Sequence, residues 1–287
     1  MSEPRVVLVL SGGGVKAAAH IGAWRAIIEA GLVPSRIVGT SMGAIIGAAL
    51  ASGRSPDSLS DAVSSITRSD VASINPLALF AGIRARSVLR ASPLRRTIER
   101  IAPARRFGDL EIPLTVTATD LDSGELVLFG TGGEDAPLID VLYAGAALPV
   151  YYPSTVINGR RLGDGGIRAV LPLVVAAQCP CDLVIAIDVG PGFEERGGAA
   201  PRVPPLMRAH GDAVGILMAG ATQSTLEWWR RTEGLPQLLY VRPRVESGVT
   251  FEVEKIRDYE SRGYLAATEM LQNEWLSGSG VDRGLSL

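Results

Sequence analysis

Apolar positions along this chain alternate between two kinds of segment. Arg5 to Leu10 (R-V-V-L-V-L) is a continuous apolar run, the pattern of a strand buried on both faces of a parallel sheet. Ser11-Gly12-Gly13-Gly14 breaks it. Val15 to Ala30 then carries Ile21, Trp24, Ile27 and Ile28 at helical spacing, and Gly31 closes that helix. Arg36-Ile37-Val38 is short and β-branched, and Ala44 to Leu50 reads as a small-residue helix. Ser55-Pro56-Asp57 starts another helix, which runs to Ser69.

From Ser73 to Phe107 the pattern turns irregular, with Pro76, Pro93 and Pro103 separating short helices. This segment predicts a helical cap or insertion rather than a sheet unit. Strands return at Pro113 to Thr119 and, after the turn at Asp122-Ser123-Gly124, at Glu125 to Phe129. Ile139 to Ala147 is helical, and Val156-Ile157 with Arg160-Arg161-Leu162 forms a hairpin about Asn158-Gly159. Leu183 to Val189 is a further buried strand, 191–204 a surface loop, Pro205 to Arg231 a long helix, Leu238 to Val241 a last strand and Val253 to Leu276 a closing helix. Alternating strands and helices predict an α/β fold with a parallel sheet covered on both faces. The organisation expected is one domain over residues 1–277, with 73–107 as its arginine-rich cap, and a tail over 278–287.

Composition narrows the class. With 287 residues, 47% hydrophobic, the chain is long enough for one large core. A net charge of −2 gives no footprint for nucleic acid. The charge is uneven, however: between Arg84 and Arg106 eight arginines face one acid, Glu99. With Leu77, Leu79, Phe80, Ile83, Val88 and Leu89 nearby, residues 77–106 can be read as a peripheral contact with anionic membrane or as a solvated basic face. Ala213 to Met218 and Trp228-Trp229 can likewise be read as acyl-pocket lining or as helix core.

Cys179 and Cys181 flank Pro180, a spacing poor for a disulfide and too sparse for a metal site, so they read as passive thiols. The chain enters its first strand without a signal-peptide apolar region, and no uncharged run is long enough to span a bilayer. The expectation is a cytoplasmic protein, with any membrane contact peripheral and at the inner face.

The chemistry concentrates at loops that follow strands. Gly39-Thr40-Ser41-Met42-Gly43 has the form G-x-S-x-G between a β-branched segment and a small-residue helix, the setting of a nucleophile elbow. Gly12-x-Gly14-x-x-Ala17 formally fits a dinucleotide fingerprint, but after Glu29 the next acid is Asp57, and the second strand ends in Gly39-Thr40-Ser41. The acid that would hold the ribose is missing. The alternative is an oxyanion hole, in which consecutive glycines aim backbone N–H groups at one point and the helix behind them adds its positive end. Lys16 would reinforce that field.

A nucleophilic serine needs a base. Of the two histidines, His20 points into its helix's surroundings and His210 lies in or near the loop at 191–204. Asp164, in Gly163-Asp164-Gly165-Gly166, is the stronger candidate, since glycines permit close backbone approach and a desolvated carboxylate has raised proton affinity.

These blocks, with Ala118-Thr119-Asp120-Leu121-x-Ser123-Gly124 and Ala144-Gly145-Ala146-Ala147-Leu148-Pro149, stand in an order and spacing that resembles bacterial patatin-like phospholipases from Arg5 to about Leu276. The resemblance implies a three-layer α/β/α fold and a Ser–Asp dyad without a catalytic histidine. On it, Ser41 is the nucleophile, Asp164 the base and Gly12, Gly13 and Gly14 line the oxyanion hole, with Lys16, Gly39, Gly43, Gly165 and Gly166 in support. It implies hydrolysis of phospholipid, lysophospholipid or other acyl esters through an acyl-enzyme, with no cofactor and no metal. Two departures stand out: Lys16-Ala17 where the family often has Arg-Gly, and Gly145 where it often has serine. The alternatives are an acyltransferase using the same dyad and a catalytically silent regulatory protein that keeps the fold.

Overall fold

The computed structural model describes residues 4–76, 78, 84–193, 205–245 and 253–276. Among the described residues eight strands form one sheet: β1 (Val6–Leu10), β2 (Pro34–Thr40), β3 (Leu114–Asp120), β4 (Leu126–Gly130), β5 (Thr155–Ile157), β6 (Arg160–Asp164), β7 (Leu183–Ile187) and β8 (Gln237–Val241). Their order is β5-β6-β3-β2-β1-β7-β8, with β4 paired to β3. The stretch from β3 through β2, β1 and β7 to β8 is parallel, while β4, β5 and β6 pair antiparallel. The β5–β6 turn places Asn158 at φ 51° and Gly159 at φ 78°, the left-handed pair that a two-residue hairpin loop requires.

The apolar run of β1 is buried throughout and serves two cores. Val6, Leu8 and Leu10 face one layer, which holds α1 (Ala19–Glu29), α2 (Met42–Ala51), α3 (Pro56–Ser64), α4 (Arg68–Val71), α5 (Ala91–Ile101), α6 (Leu138–Gly145) and α10 (Ile256–Met270). Val7 and Val9 face the other layer, where α7 (Gly166–Ala169), α8 (Leu173–Ala176) and α9 (Pro205–Arg231) pack and Cys179 is buried. Strand period two therefore delivers the three-layer α/β/α arrangement that the sequence predicts. Among the described residues no helix is long and apolar enough to cross a membrane.

Three boundaries differ from the sequence pattern, each for a local reason. The first helix opens with a 3-10 turn, Gly14–Ala18, because the chain leaves the glycine loop at φ 60° on Gly14. The helix expected to reach Ser69 ends at Ser64, and Thr67 restarts the chain as α4 through a capping box with Asp70. Pro93 does not separate helices; it lies in the first turn of α5, where its missing N–H has no intrahelical partner to lose. That helix buries Leu94, Ile98 and Ile101 in the main core. Leu77, Leu79, Phe80 and Ile83, most of the 191–204 loop and the tail lie outside the described residues.

Helices α1 and α10 press together at glycines. A Cβ on Gly22 would lie 1.9 Å from the carbonyl oxygen of Glu260, and one on Gly263 would lie 1.9 Å from that of Ala19. The closing helix thus braces the helix that follows the glycine loop.

Candidate active site

Two strands meet end to end along a single edge of β3. Thr117 pairs with Thr40 of β2 and with Leu128 of β4, whereas Ala118 pairs with Asp164 of β6 and with Val127 of β4. β4 occupies one edge throughout, so β2 and β6 share the other, and they run toward each other. Ser41 follows the last residue of β2, and Asp164 is the last residue of β6. The seam brings together two residues 123 positions apart, with the Ser41 hydroxyl donating to Asp164 Oδ2 at 2.8 Å.

The serine sits at φ 54°, ψ −130°, a conformation costing a non-glycine residue about 1–3 kcal/mol. The turn is held because α2 tucks under the first strand, where a Cβ on Gly43 would lie 2.3 Å from the carbonyl oxygen of Ser11. A Cβ on Gly39 would similarly lie 2.6 Å from Ala44 Cα. Thr40 Oγ1 lies 2.7 Å from Thr117 Oγ1 and donates to the carbonyl of Ala169, which ties the elbow to α7.

Asp164 is enclosed by backbone. Its N–H donates to Ala147 O at 3.0 Å, and the Thr119 hydroxyl donates to its carbonyl at 2.8 Å. The Gly166 N–H donates to Oδ1 at 2.7 Å, which leaves Oδ2 toward Ser41. A Cβ on Gly165 would collide with Thr117, 2.3 Å from its Oγ1. Burial pushes the Asp164 carboxyl up to about 6 from the ordinary 3.8, against the opposing pull of the Gly166 N–H and the Ser41 hydroxyl. Desolvation outweighs them, since both opposing contacts come from neutral groups.

The glycine loop lies across from this seam. Gly12 abuts Ser41, a Cβ on it falling 3.2 Å from Ser41 Cβ. Its N–H is already engaged, donating to Val170 O at 3.0 Å. Gly12 therefore contributes space rather than a donor. Gly13 and Gly14 lead into the 3-10 turn, at the position where backbone N–H groups have no partner within the turn. Lys16 is buried in that turn.

The loop is seated on the end of β7. The Val189 N–H donates to Ser11 Oγ at 2.8 Å, and a Cβ on Gly13 would lie 2.6 Å from Val189 O. Asp188, buried, accepts from Gly190 N–H, from the Tyr240 hydroxyl and from Arg242 Nη1, the last two at 2.8 Å. Sequence reasoning missed this clamp. Its only local signal is an acid directly after a buried strand; its side-chain partners, Tyr240 and Arg242, lie more than fifty residues away.

Neither histidine partners the serine. His20 is fully buried, its Nε2 3.0 Å from Ser11 O. A carbonyl only accepts, so Nε2 carries the proton, and burial pushes the imidazole down to about 4 from 6.5. His210 lies within α9, its ring 6.4 Å from that of Tyr151. Of α9, Met218 reaches Gly166, while Trp229 is buried in the second core and Trp228 is partly exposed.

A family model described as patatin-like phospholipase matches residues 8–177. An uncharacterized NTE family protein of Mycobacterium tuberculosis is 36% identical over 188 residues, covering 66% of this chain and 50% of that protein. Human patatin-like phospholipase domain-containing protein 6 is 30% identical over 187 residues, covering 64% of this chain and 13% of that protein. The chain thus matches about half the length of the mycobacterial relatives. The crystal structure of VipD from Legionella pneumophila shares the fold, with a TM-score of 0.50 at 16% identity, over 94% of this chain and 67% of that one.

Proposed function

Since the chain belongs to the patatin-like phospholipase family, we propose that it is a serine acyl-ester hydrolase acting on phospholipid, lysophospholipid or related lipid esters through a Ser41–Asp164 dyad. The observation that carries this reading is the 2.8 Å hydrogen bond from a strained elbow serine to a buried carboxylate.

In this reading the Ser41 hydroxyl attacks the ester carbonyl carbon while its proton passes to Asp164 Oδ2. A carboxyl titrating near 6 is a stronger base than an ordinary aspartate and remains ionised at neutral pH. The carbonyl oxygen becomes an oxyanion, and the N–H groups of Gly13, Gly14 and Met42 are the donors we assign to it. Met42 is the residue after the nucleophile and begins α2, so its N–H has no intrahelical partner. One such donor is worth about 3 kcal/mol in the transition state. As the tetrahedral intermediate collapses, the alcohol leaves with the proton held by Asp164, and the acyl group stays on Ser41. Water then attacks the acyl-enzyme, giving its proton to Asp164, which returns it to Ser41 as the fatty acid departs.

A fluorophosphonate probe tests the assignment. Labelling of the wild type at Ser41, with ester turnover lost in both Ser41→Ala and Asp164→Ala, is the expected result. Turnover that survives Asp164→Ala but is lost in His20→Ala or His210→Ala would refute the dyad.

A further inference from the structure

The turn that follows β7 is shaped by a buried carboxylate with no part in the Ser41–Asp164 pair. Asp188 stands directly after the strand, and its Oδ1 accepts the Gly190 N–H at 2.9 Å, closing the turn around Val189. Its Oδ2 accepts from the Tyr240 hydroxyl and from Arg242 Nη1, both at 2.8 Å. The backbone is held from the same side: the Asp188 N–H donates to Val241 O at 2.9 Å, and Arg242 Nη1 donates to Asp188 O at 3.3 Å. The end of β8 and the residue after it therefore grip Asp188 by carboxylate, amide and carbonyl.

Val189, fixed in that turn, is what the glycine loop rests on. Its N–H donates to Ser11 Oγ at 2.8 Å, and a Cβ on Gly13 would fall 2.6 Å from its carbonyl oxygen. A Cβ on Gly190 would lie 3.4 Å from Gly12 O, so the turn and the loop touch backbone to backbone. Ser11 is also held from the other side, its carbonyl accepting from His20 Nε2 at 3.0 Å. Contacts this close leave no slack, so a displaced Val189 carries Ser11 and Gly13 with it. We propose that Asp188 is a positioning residue of the oxyanion hole: with Tyr240 and Arg242 it fixes Val189, and Val189 sets where the Gly13 and Gly14 amides point. The inference rests on the reading of Ser41 as nucleophile and of those amides as donors. A hydrogen bond weakens steeply as its angle closes, so a small rotation of the loop costs transition-state stabilisation while substrate still binds. Arg242 has a second effect: paired with it, the Asp188 charge does not oppose the negative oxygen forming across the loop.

The test compares p-nitrophenyl butyrate with its thiono analogue, in which sulfur replaces the carbonyl oxygen. Sulfur is a weak acceptor and gains little from well-aimed amides. Asp188→Asn keeps an acceptor for Gly190 but breaks the pair with Arg242. It should lower kcat for the oxygen ester at least about tenfold with KM little changed, a part of the roughly 10²–10³-fold that losing a donor outright costs. Tyr240→Phe, which removes one bond to the carboxylate, should cost severalfold. Both should lower the ester-to-thionoester ratio of kcat/KM, and both should slow fluorophosphonate labelling of Ser41 in parallel. Arg242→Lys should retain more activity than Arg242→Gln. Thr97→Val, which deletes a buried hydrogen bond to Asp70 O in α5, should leave kcat and the ratio where they are. Folded Asp188→Asn protein with wild-type kcat would overturn the proposal, as would a loss that leaves the ratio unmoved or that Thr97→Val reproduces. If Asp188→Asn fails to fold, Tyr240→Phe decides by the same criteria. In each of these cases an active, labelled wild type keeps the hydrolase reading, whereas a wild type with neither turnover nor labelling would overturn both.

Discussion

Replacing Asp164 with asparagine removes the one ionisable group the seam buries, while both of its hydrogen bonds have a counterpart. The introduced amide would accept from the Gly166 N–H through its oxygen and donate to Ser41 Oγ through its nitrogen. The native carboxyl rises from 3.8 to about 6 on folding, so between those values the folded state holds the proton and the unfolded state has lost it. Stability from this group is therefore fully present below pH 3.8 and declines as pH rises through 6. The difference corresponds to about 3 kcal/mol. Asp164→Asn should thus be more stable than the wild type by about 3 kcal/mol above about pH 6.5, equal to it near about pH 4, and devoid of ester turnover. At roughly 2–4 °C per kcal/mol this is a rise in Tm of about 6–12 °C at about pH 8. Urea unfolding followed by tryptophan fluorescence at several pH values measures it directly. His20 titrates with the opposite sign but is common to both proteins, so it cancels in the difference. A stability difference that stays constant from about pH 4 to pH 8 would refute the argument.

Activity itself should follow the same carboxyl, with kcat/KM for a soluble ester rising through a limb near pH 6 and flattening above it; a flat profile from about pH 5 to pH 8 would remove Asp164 as the base. His20 is held neutral in the fold, at about 4 instead of 6.5, so it withdraws about 3 kcal/mol as pH falls from 6.5 through 4. Asp164→Asn protein should show that acid loss uncovered, and adding His20→Gln should abolish it in the same urea titrations. Gly263→Ala forces a Cβ to within 1.9 Å of the Ala19 carbonyl and should destabilise by several kcal/mol, read as a lower urea midpoint; an unchanged midpoint would mean that α1 and α10 do not brace each other. Arg84, Arg86 and Arg90 are exposed beside the Val150–Tyr151 segment, to which Val88 and Leu89 donate hydrogen bonds. If they meet an anionic membrane, changing all three to glutamine should lower co-sedimentation with phosphatidylglycerol vesicles severalfold while soluble-ester turnover persists.

What the sequence made legible was local. The apolar run of β1, the elbow around Ser41 and the glycine loop are each written in a handful of consecutive residues, and their conformations follow from them. Asp164 could be singled out by its glycines, but not the reason it meets Ser41. That reason is the register of β6 on β3, a long-range pairing with no local signature. The engaged amide of Gly12 was invisible for the same reason, since its partner Val170 lies in another unit. The break after Ser64 was missed because helical periodicity survives a short interruption when α3 and α4 both bury apolar residues.

The end-to-end meeting of β2 and β6 has one more consequence. The elbow is seated on its own strand, on the first strand and on α7, whereas the carboxylate opposite Ser41 comes from a residue 123 positions later, on a strand that takes up the remaining length of the same β3 edge. A slip of one residue would carry Asp164 about 3.3 Å along the seam and turn its carboxylate to the opposite face. On the proposed dyad, a chain whose β6 is absent or misregistered would carry a serine with no carboxylate beside it.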